Sequence, residues 1–125
     1  MGNYQRLKVW ESGHALSLSV YRITQSFPSE EKYGLAAQLR RASVSVVSNI
    51  AEGAGRQSDG EQIRFLRIAR GSVHELESQL LLSRDLGYIG SGAWPDLDNQ
   101  VKEISRMING LITSLLQRSS SRATW

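Results

Sequence analysis

The segment NIAEGAGRQSDGEQIRFLRIARGS, residues 49–72, decides the fold because it joins two helical patterns through a short turn. On both sides of the turn, apolar residues recur every three or four positions, the spacing that gives a helix one apolar seam. The two seams are Leu35, Leu39, Ala42, Val46 and Ile50, and then Leu66, Ala69, Val73, Leu76 and Leu80. Ser58, followed three residues later by Glu61, fits the capping box that begins a helix.

Three glycines in this turn, Gly53, Gly55 and Gly60, raise the alternative of a phosphate-binding loop. Nucleotide-binding loops follow a strand and read GxGxxG, or they end in Gly-Lys-Ser or Gly-Lys-Thr. Neither condition is met here, so the match is poor. We interpret Gly53 and Gly55 instead as residues whose positive φ lets the chain leave the helix.

Two further apolar seams lie outside this central pair of helices. They are Val9, Gly13, Leu16, Val20, Ile23 and Phe27, and then Leu97, Val101, Ile104, Ile108, Leu111 and Leu115. Pro28 ends the first helix, Gly87 is a plausible C-cap of the third, and Pro95 fits the first turn of the fourth. The patterns predict an all-α fold in one domain over 1–125, an antiparallel up-down four-helix bundle. The expected helices are roughly 8–26, 33–52, 59–87 and 93–117, followed by a polar tail at 118–125.

Three stretches resemble the four-helix-bundle proteins of the 23S rRNA intervening-sequence type, also called S23. They are KVWESGHAL, YGLAAQLRRASVSVVSNIAEGAGRQS and RFLRIARGSVHELESQLLLSRDLGYI. The resemblance implies an up-down bundle that assembles as a homopentamer and has no established enzymatic activity. It also implies kinship with the accessory proteins of diversity-generating retroelements, which are thought to bind nucleic acid through a basic surface. The signature positions are Asn49, Glu52, Gly53, Gly55, Arg56, Gly71, Glu75 and Glu77.

Composition narrows the function classes. The 125-residue chain is 40% hydrophobic and has no cysteine, which excludes disulfides, thiol catalysis and thiolate metal sites. No apolar run approaches the roughly 20 residues that cross a bilayer, and no secretory signal pattern begins the chain. We therefore expect a cytoplasmic protein without a membrane segment.

Reactive side chains are few. His14 and His74 are the two histidines, and Glu75 and Glu77 point about 200° apart on a helix, so at most one joins His74. We predict no enzymatic activity, no metal and no cofactor. Two interpretations remain open for three polar residues near apolar positions, Glu75, Asn49 and Glu52. They form a functional site, or their carboxylates pair with arginine at a helix or subunit contact. The second interpretation is favoured, because charges removed from water need partners.

Arginine dominates the charge. The net charge is +3, and twelve of the fifteen basic residues are arginine, which binds phosphate through a bidentate fork and also suits protein interfaces. If the turn centres near residue 55, Arg40 and Arg41 lie level with Arg70, with Arg106 not far off. The candidate nucleic-acid-binding residues are Arg40, Arg41, Arg67 and Arg70, followed by Arg56 and Arg64.

Two functions fit these arginines. One is a protein that binds structured RNA or DNA, or serves as a scaffold, and reads backbone and shape because no base-reading motif is visible. The other is a protein-binding adaptor whose arginines serve subunit interfaces and that has no nucleic-acid role.

Self-association is predicted from small and apolar residues. Gly13, Gly34, Gly71 and Gly110 fall in helical segments, where a glycine costs about 1 kcal/mol unless backbones approach closely. Apolar residues also exceed what four seams need, which favours a homo-oligomer. These residues are Trp10, Phe65, Ile68, Leu82, Met107 and Ile112. The aromatic residues, Tyr33 among them, are interpreted as packing groups rather than a base-stacking platform.

Overall fold

The computed structural model describes residues 2–123, and the side chains of 6–121. Within this part of the chain the fold is all-α, as predicted, with no strand. The four helices are α1 (Gly2–Thr24), α2 (Leu35–Ala54), α3 (Asp59–Asp85) and α4 (Trp94–Ala123). A 3-10 turn, Ser29–Glu31, lies between α1 and α2.

The apolar seams form one core. Each helix packs against two neighbours, α1 against α2 and α4, and α3 against α2 and α4. The most deeply buried side chains come from all four helices, for example Leu16, Leu39, Leu76 and Ile108. Removing such apolar area from water is the main stabilising contribution to a fold of this kind.

The order of contacts along neighbouring helices is reversed. Ser17 of α1 lies 3.1 Å from Ser43 of α2. Seven residues later in α1, Thr24 accepts a hydrogen bond from Arg40, three residues earlier in α2. The same reversal relates α3 to α4, where Arg70 contacts Asn109 and Asp59 contacts Arg118.

Two helix-end signals act as predicted. The Ser58 side chain accepts a hydrogen bond from the Glu61 backbone N–H, 3.1 Å away, and caps α3. Gly87 ends α3 with φ of +82°, its N–H donating to the Arg84 carbonyl while that of Tyr88 donates to the Ser83 carbonyl. This is the Schellman pattern, which requires a left-handed residue and so favours glycine.

The role predicted for Gly53 and Gly55 is wrong. Gly53 lies inside α2, Gly55 follows it with φ of −84°, and neither has a positive φ. Gly53 instead allows close approach of two helices, since a Cβ there would lie 3.0 Å from the Phe65 Cβ. The glycine is needed for packing rather than for a turn.

The helix ends differ from the predicted ones. Helix α1 begins at Gly2, and α4 continues through the predicted tail as far as Ala123. The reason lies in Arg118, which pairs with the buried Asp59 and so gives the last turns of α4 a tertiary contact. The final tail positions, 124 and 125, lie outside the described residues.

The predicted level of the arginines is also wrong. The Ser45 hydroxyl lies 2.7 Å from that of Ser72, which fixes the register of α2 against α3. Arg41, four residues before Ser45, therefore lies level with about Leu76, roughly 9 Å beyond Arg70 at a rise of ~1.5 Å per residue. The estimate failed because α2 extends to Ala54, so the turn is centred later than residue 55.

The glycines and apolar residues from which self-association was predicted divide into two groups. A Cβ on Gly13 would lie 3.5 Å from Val47 and Ile50 side chains, so α1 and α2 do approach closely there. Gly71 and Gly110, by contrast, face open space within this chain. Ile112 is buried in the core, whereas Ile68 and Leu82 are 42% and 52% exposed.

None of the described helices is both long enough and apolar enough to cross a membrane.

Candidate nucleic-acid interface

Three arginines share the face where α3 meets α4. Arg67 and Arg70 are one turn apart on α3, and Arg106 lies one turn before Asn109 on α4. The Arg70 guanidinium donates a hydrogen bond to the Asn109 side-chain oxygen, 3.2 Å away, and this contact fixes Arg70 at the junction of the two helices. We call Arg67, Arg70 and Arg106 the α3–α4 arginine face.

The charges of this face are not neutralised within the described part of the chain. No carboxylate there lies within 4.0 Å of any of the three guanidiniums. The sequence explains this for α3, because the positions one turn before and after Arg67 and Arg70 hold no Asp or Glu. Arg67 and Arg106 are exposed, and Arg70 is half-buried.

Two glycines adjoin this face. Gly71 follows Arg70, and Gly110 follows Asn109; both glycines are exposed, and a Cβ added to either would meet no atom within 4 Å. The face is therefore open at these two positions. Such a face suits a broad anionic surface better than a small molecule, because it offers charge without enclosure.

Arg56 and Arg64 form a different kind of site at the turn between α2 and α3. Their guanidiniums lie 4.8 and 4.4 Å from the centre of the Phe65 ring. Each also pairs with a carboxylate on its own helix or turn, Arg56 with Glu52 at 2.9 Å and Arg64 with Glu61 at 3.1 Å. The two pairs cancel in charge, so this cluster holds the helix ends together rather than presenting a positive surface.

The same turn accounts for three signature residues. Glu52 holds Arg56 over Phe65, and Gly53 leaves room for the Phe65 side chain. The hydrogen bond from Arg64 lowers the pKa of the Glu61 carboxyl, and the same bond raises the pKa of Arg64. Residues of the EGAGR stretch thus pack the end of α2 against α3.

Arg40 and Arg41 lie away from the α3–α4 arginine face. The Arg40 Nε donates to the Thr24 hydroxyl at 2.8 Å, and its guanidinium lies 4.8 Å from the Tyr21 ring centre. Arg41 is exposed and donates to Gln38. The six candidate arginines therefore occupy separate regions, with Arg67 and Arg70 together and the others elsewhere.

Two of the remaining signature residues form hydrogen bonds within their own helices. Asn49 donates to the Ser45 carbonyl at 2.8 Å, and Glu75 accepts from the Gln79 amide at 3.4 Å. Neither Glu75 nor Glu77 forms an ion pair within the described residues, so the predicted arginine partner is not found on this chain. A partner across a subunit contact stays a prediction.

The candidates predicted from the sequence do not include Arg106 and Asn109. The sequence places Arg106 near the level of Arg70, but the contact between Arg70 and α4 is visible only in the hydrogen bond to Asn109. The usable signal was the spacing of Arg106 and Asn109 on α4, one turn apart. Among the described side chains, no group of three or more His, Asp or Glu residues could hold a metal ion.

Comparison with known proteins identifies the family. The model described as 23S rRNA-intervening sequence protein matches residues 5–110, most of the chain. The chain belongs to this family. The resemblance seen in the sequence is thereby confirmed for the family itself, while the kinship with retroelement accessory proteins stays a prediction.

A solved structure shares the fold. A protein of unknown function from the S23 ribosomal protein family of Bacteroides thetaiotaomicron has a TM-score of 0.80 and 23% sequence identity. The similarity covers 87% of this chain and 98% of that one. A search of curated proteins finds no match. Membership in the 23S rRNA-intervening sequence protein family therefore establishes the fold and leaves function to be argued from the surface.

Proposed function

We propose that this 23S rRNA-intervening sequence family member is a non-enzymatic protein that binds structured RNA or duplex DNA. The observation that carries the proposal is the α3–α4 arginine face, where three guanidiniums have no carboxylate partner on the described chain. Arginine binds phosphate oxygens through a planar fork, so the proposed contacts are to backbone phosphates. Phosphate contacts carry no sequence information, and binding is therefore indifferent to base sequence.

The proposal includes an assembly. We propose an antiparallel up-down bundle that forms a homo-oligomer, a pentamer, in the cytoplasm. The reversed order of contacts between neighbouring helices supports the bundle arrangement. The exposure of Ile68 and Leu82 on α3 supports self-association, because large apolar side chains in water favour burial against a partner.

Assembly would multiply the charge that one chain offers. Each copy contributes three guanidiniums, and a closed ring repeats them at regular spacing around its surface. Association with a polyanion then releases counterions, and affinity falls as salt rises. A net charge of only +3 per chain is compatible with this mode because several carboxylates, Glu52 and Glu61 among them, pair with basic residues outside this face.

The test compares two double variants that each remove two positive charges. Arg67→Gln/Arg106→Gln alters the α3–α4 arginine face, and Arg22→Gln/Arg84→Gln alters arginines near the opposite end of the bundle. Arg70 is retained so that its hydrogen bond to Asn109 survives. Binding of hairpin RNA and duplex DNA is measured from 50 to 300 mM salt after light scattering has compared the assemblies.

We expect the first variant to lose affinity, with a slope of log K against log salt that flattens by about one for each lost phosphate contact. The second variant should retain the wild-type slope. Equal losses in both variants would mean that net charge alone attracts the nucleic acid, which contradicts the proposal. Unchanged binding by the first variant would refute the proposal that the α3–α4 arginine face binds nucleic acid.

An adaptor function is the second candidate. Arg40 favours it, since this guanidinium is already committed to Thr24 and Tyr21 and shows an arginine used for protein contacts. Under this alternative, Arg67→Gln/Arg106→Gln breaks the oligomer and leaves no nucleic-acid affinity to lose.

A further inference from the structure

A second basic region lies at the junction of α1 and α2, far from the α3–α4 arginine face in sequence and on different helices. A groove of about 510 Å³ is lined there by side chains of α1, α2 and the segment between them. Its principal residues are Tyr21, Lys32, Tyr33, Arg40, Arg41 and Val44. We call it the tyrosine groove.

Tyr33 is the most exposed large aromatic residue described in this chain, at 86%. The sequence suggested packing in the core, at an interface or at a helix end, and within this chain the Tyr33 ring does not lie in the core. The 3-10 turn Ser29–Glu31 brings the chain round before α2, and Tyr33 follows it at a point where neither helix covers the ring. An aromatic face held in water is a surface on which another flat ring gains by stacking.

Three cations surround the two tyrosines. The Lys32 ammonium lies 5.4 Å from the centre of the Tyr33 ring, and Arg41 is exposed with Gln38 as its hydrogen-bond partner. Arg40 is fixed by its bonds to Thr24 and its stacking on Tyr21. The positions of these charges are therefore partly set before any ligand arrives, which lowers the entropy cost of binding.

Carboxylates are excluded from the groove lining. Glu31, the acidic residue closest in sequence to Tyr33, is directed into other contacts. Its two oxygens accept from the Leu35 backbone N–H at 3.0 Å and from the Tyr88 hydroxyl at 3.1 Å. The groove thus joins an open aromatic face to positive charge without an opposing negative group in its wall.

We infer that the tyrosine groove binds single-stranded nucleic acid, with a base stacked on Tyr33 and its phosphates beside Lys32 and Arg41. This inference rests on the proposed nucleic-acid function and adds single strands to the structured RNA and duplex DNA proposed above. A base with its phosphate matches the pairing of ring and cation, and stacking tolerates any base. The open groove has no glycine-rich loop to enclose a phosphate, which favours a continuous strand over a free nucleotide.

The experiment uses the full chain and three ligands: a ten-nucleotide single-stranded RNA carrying 2-aminopurine, a blunt RNA duplex, and adenosine monophosphate. Polyglutamate serves as a competitor. Tyr33→Ala removes the ring, whereas Tyr33→Phe retains it and serves as the matched control. Ring exposure makes both substitutions compatible with folding, which melting curves verify. Binding is followed by anisotropy, and stacking by quenching of the 2-aminopurine fluorescence.

We expect Tyr33→Ala to weaken single-strand binding about tenfold and to abolish the quenching, as for loss of one stacked base. Tyr33→Phe should behave as wild type, and duplex binding should be unchanged in both. Lys32→Gln/Arg41→Gln should flatten the salt dependence for the single strand. Adenosine monophosphate should bind far more weakly than the strand.

Several outcomes would overturn the inference. Equal single-strand affinity of Tyr33→Ala and wild type, with duplex binding intact, refutes the tyrosine groove and leaves the proposed function standing. Tight binding of adenosine monophosphate would identify a nucleotide site instead. Competition by polyglutamate that equals that of RNA would show a site for acidic protein segments. Failure of every nucleic acid to bind would refute the proposed function together with this inference.

Discussion

Arg118 of α4 lies against the buried carboxylate of Asp59, the first residue of α3, with its Nε 3.2 Å from Oδ2. Beside this pair, the Arg6 guanidinium of α1 donates to the Gln62 side chain. Gln62 in turn donates to the Arg56 carbonyl just beyond the end of α2, at 2.6 Å. Burial lowers the pKa of Arg6, and the hydrogen bond with Asp59 raises that of Arg118. This polar cluster, which we call the clasp, joins all four helices at one end.

The first prediction concerns Asp59. Asp59→Ala removes a carboxylate that is only 5% exposed and leaves arginine donors without their acceptor. We expect the free energy of unfolding to fall by about 1–3 kcal/mol, the cost of unsatisfied buried polar groups. Urea denaturation measures it. Glu52→Ala, which breaks an exposed pair with Arg56, is the control and should change stability by less than about 1 kcal/mol.

The second prediction contrasts two glycines. Gly53→Ala should destabilise the protein, because the new Cβ would lie 3.0 Å from the Phe65 Cβ and 3.4 Å from the Gln62 carbonyl oxygen. Gly71→Ala meets open space on an exposed helix face and should stabilise by about 0.5–1 kcal/mol. Thermal denaturation of both variants checks the opposite signs. Equal effects would show that helix propensity outweighs packing at residue 53.

The third prediction is a pH dependence at Glu61. Its pKa is lowered in the folded protein by the hydrogen bond from Arg64, so the folded state binds a proton less readily than the unfolded chain. The stabilisation is therefore present above the unfolded pKa of about 4.3 and is lost as pH falls through the folded value. Urea midpoints of wild type and Glu61→Gln should differ at pH 7 and converge near pH 3. A constant difference would contradict this origin.

The fourth prediction concerns assembly. Ile68 and Leu82 lie two heptads apart on α3 and are both exposed in the single chain. Ile68→Ser/Leu82→Ser should shift the protein toward the 13.9 kDa monomer in light scattering after gel filtration. Leu116→Ser, at an exposed leucine of α4, is the control and should leave the assembly unchanged. A wild-type monomer at micromolar concentration would refute self-association.

The sequence predicted those parts of the fold that repeat or that depend on neighbours in the chain. Apolar spacing identified the core because each helix turn returns the same face inward, and Ser58 and Gly87 marked ends through contacts within a few residues. The register of Arg41 against α3 could not be predicted, since it depends on where α2 ends. The role of Gly53 could not be predicted either, because it depends on how closely Phe65 of another helix approaches this residue.

The candidate site was predicted in composition but not in arrangement. The sequence shows that no carboxylate lies one turn from Arg67 or Arg70, and this alone suggests unpaired charge. It does not show that Arg56 and Arg64 lie on one ring beside their glutamates, or that Arg70 reaches Asn109. These contacts depend on how the helices pack against one another, and the pattern of charges along the sequence does not determine that packing.

The clasp also bears on how long a folded molecule lasts. Its two cross-links join residues 56 and 59 positions apart in the chain, so each closes a long loop whose entropy cost delays its formation. Contacts that form after the folding transition state affect unfolding more than folding. Stopped-flow measurements on Asp59→Ala should then show faster unfolding with a nearly unchanged folding rate. The polar end of the bundle would in that case govern the lifetime of the native state, while the apolar seams govern the rate at which it is reached.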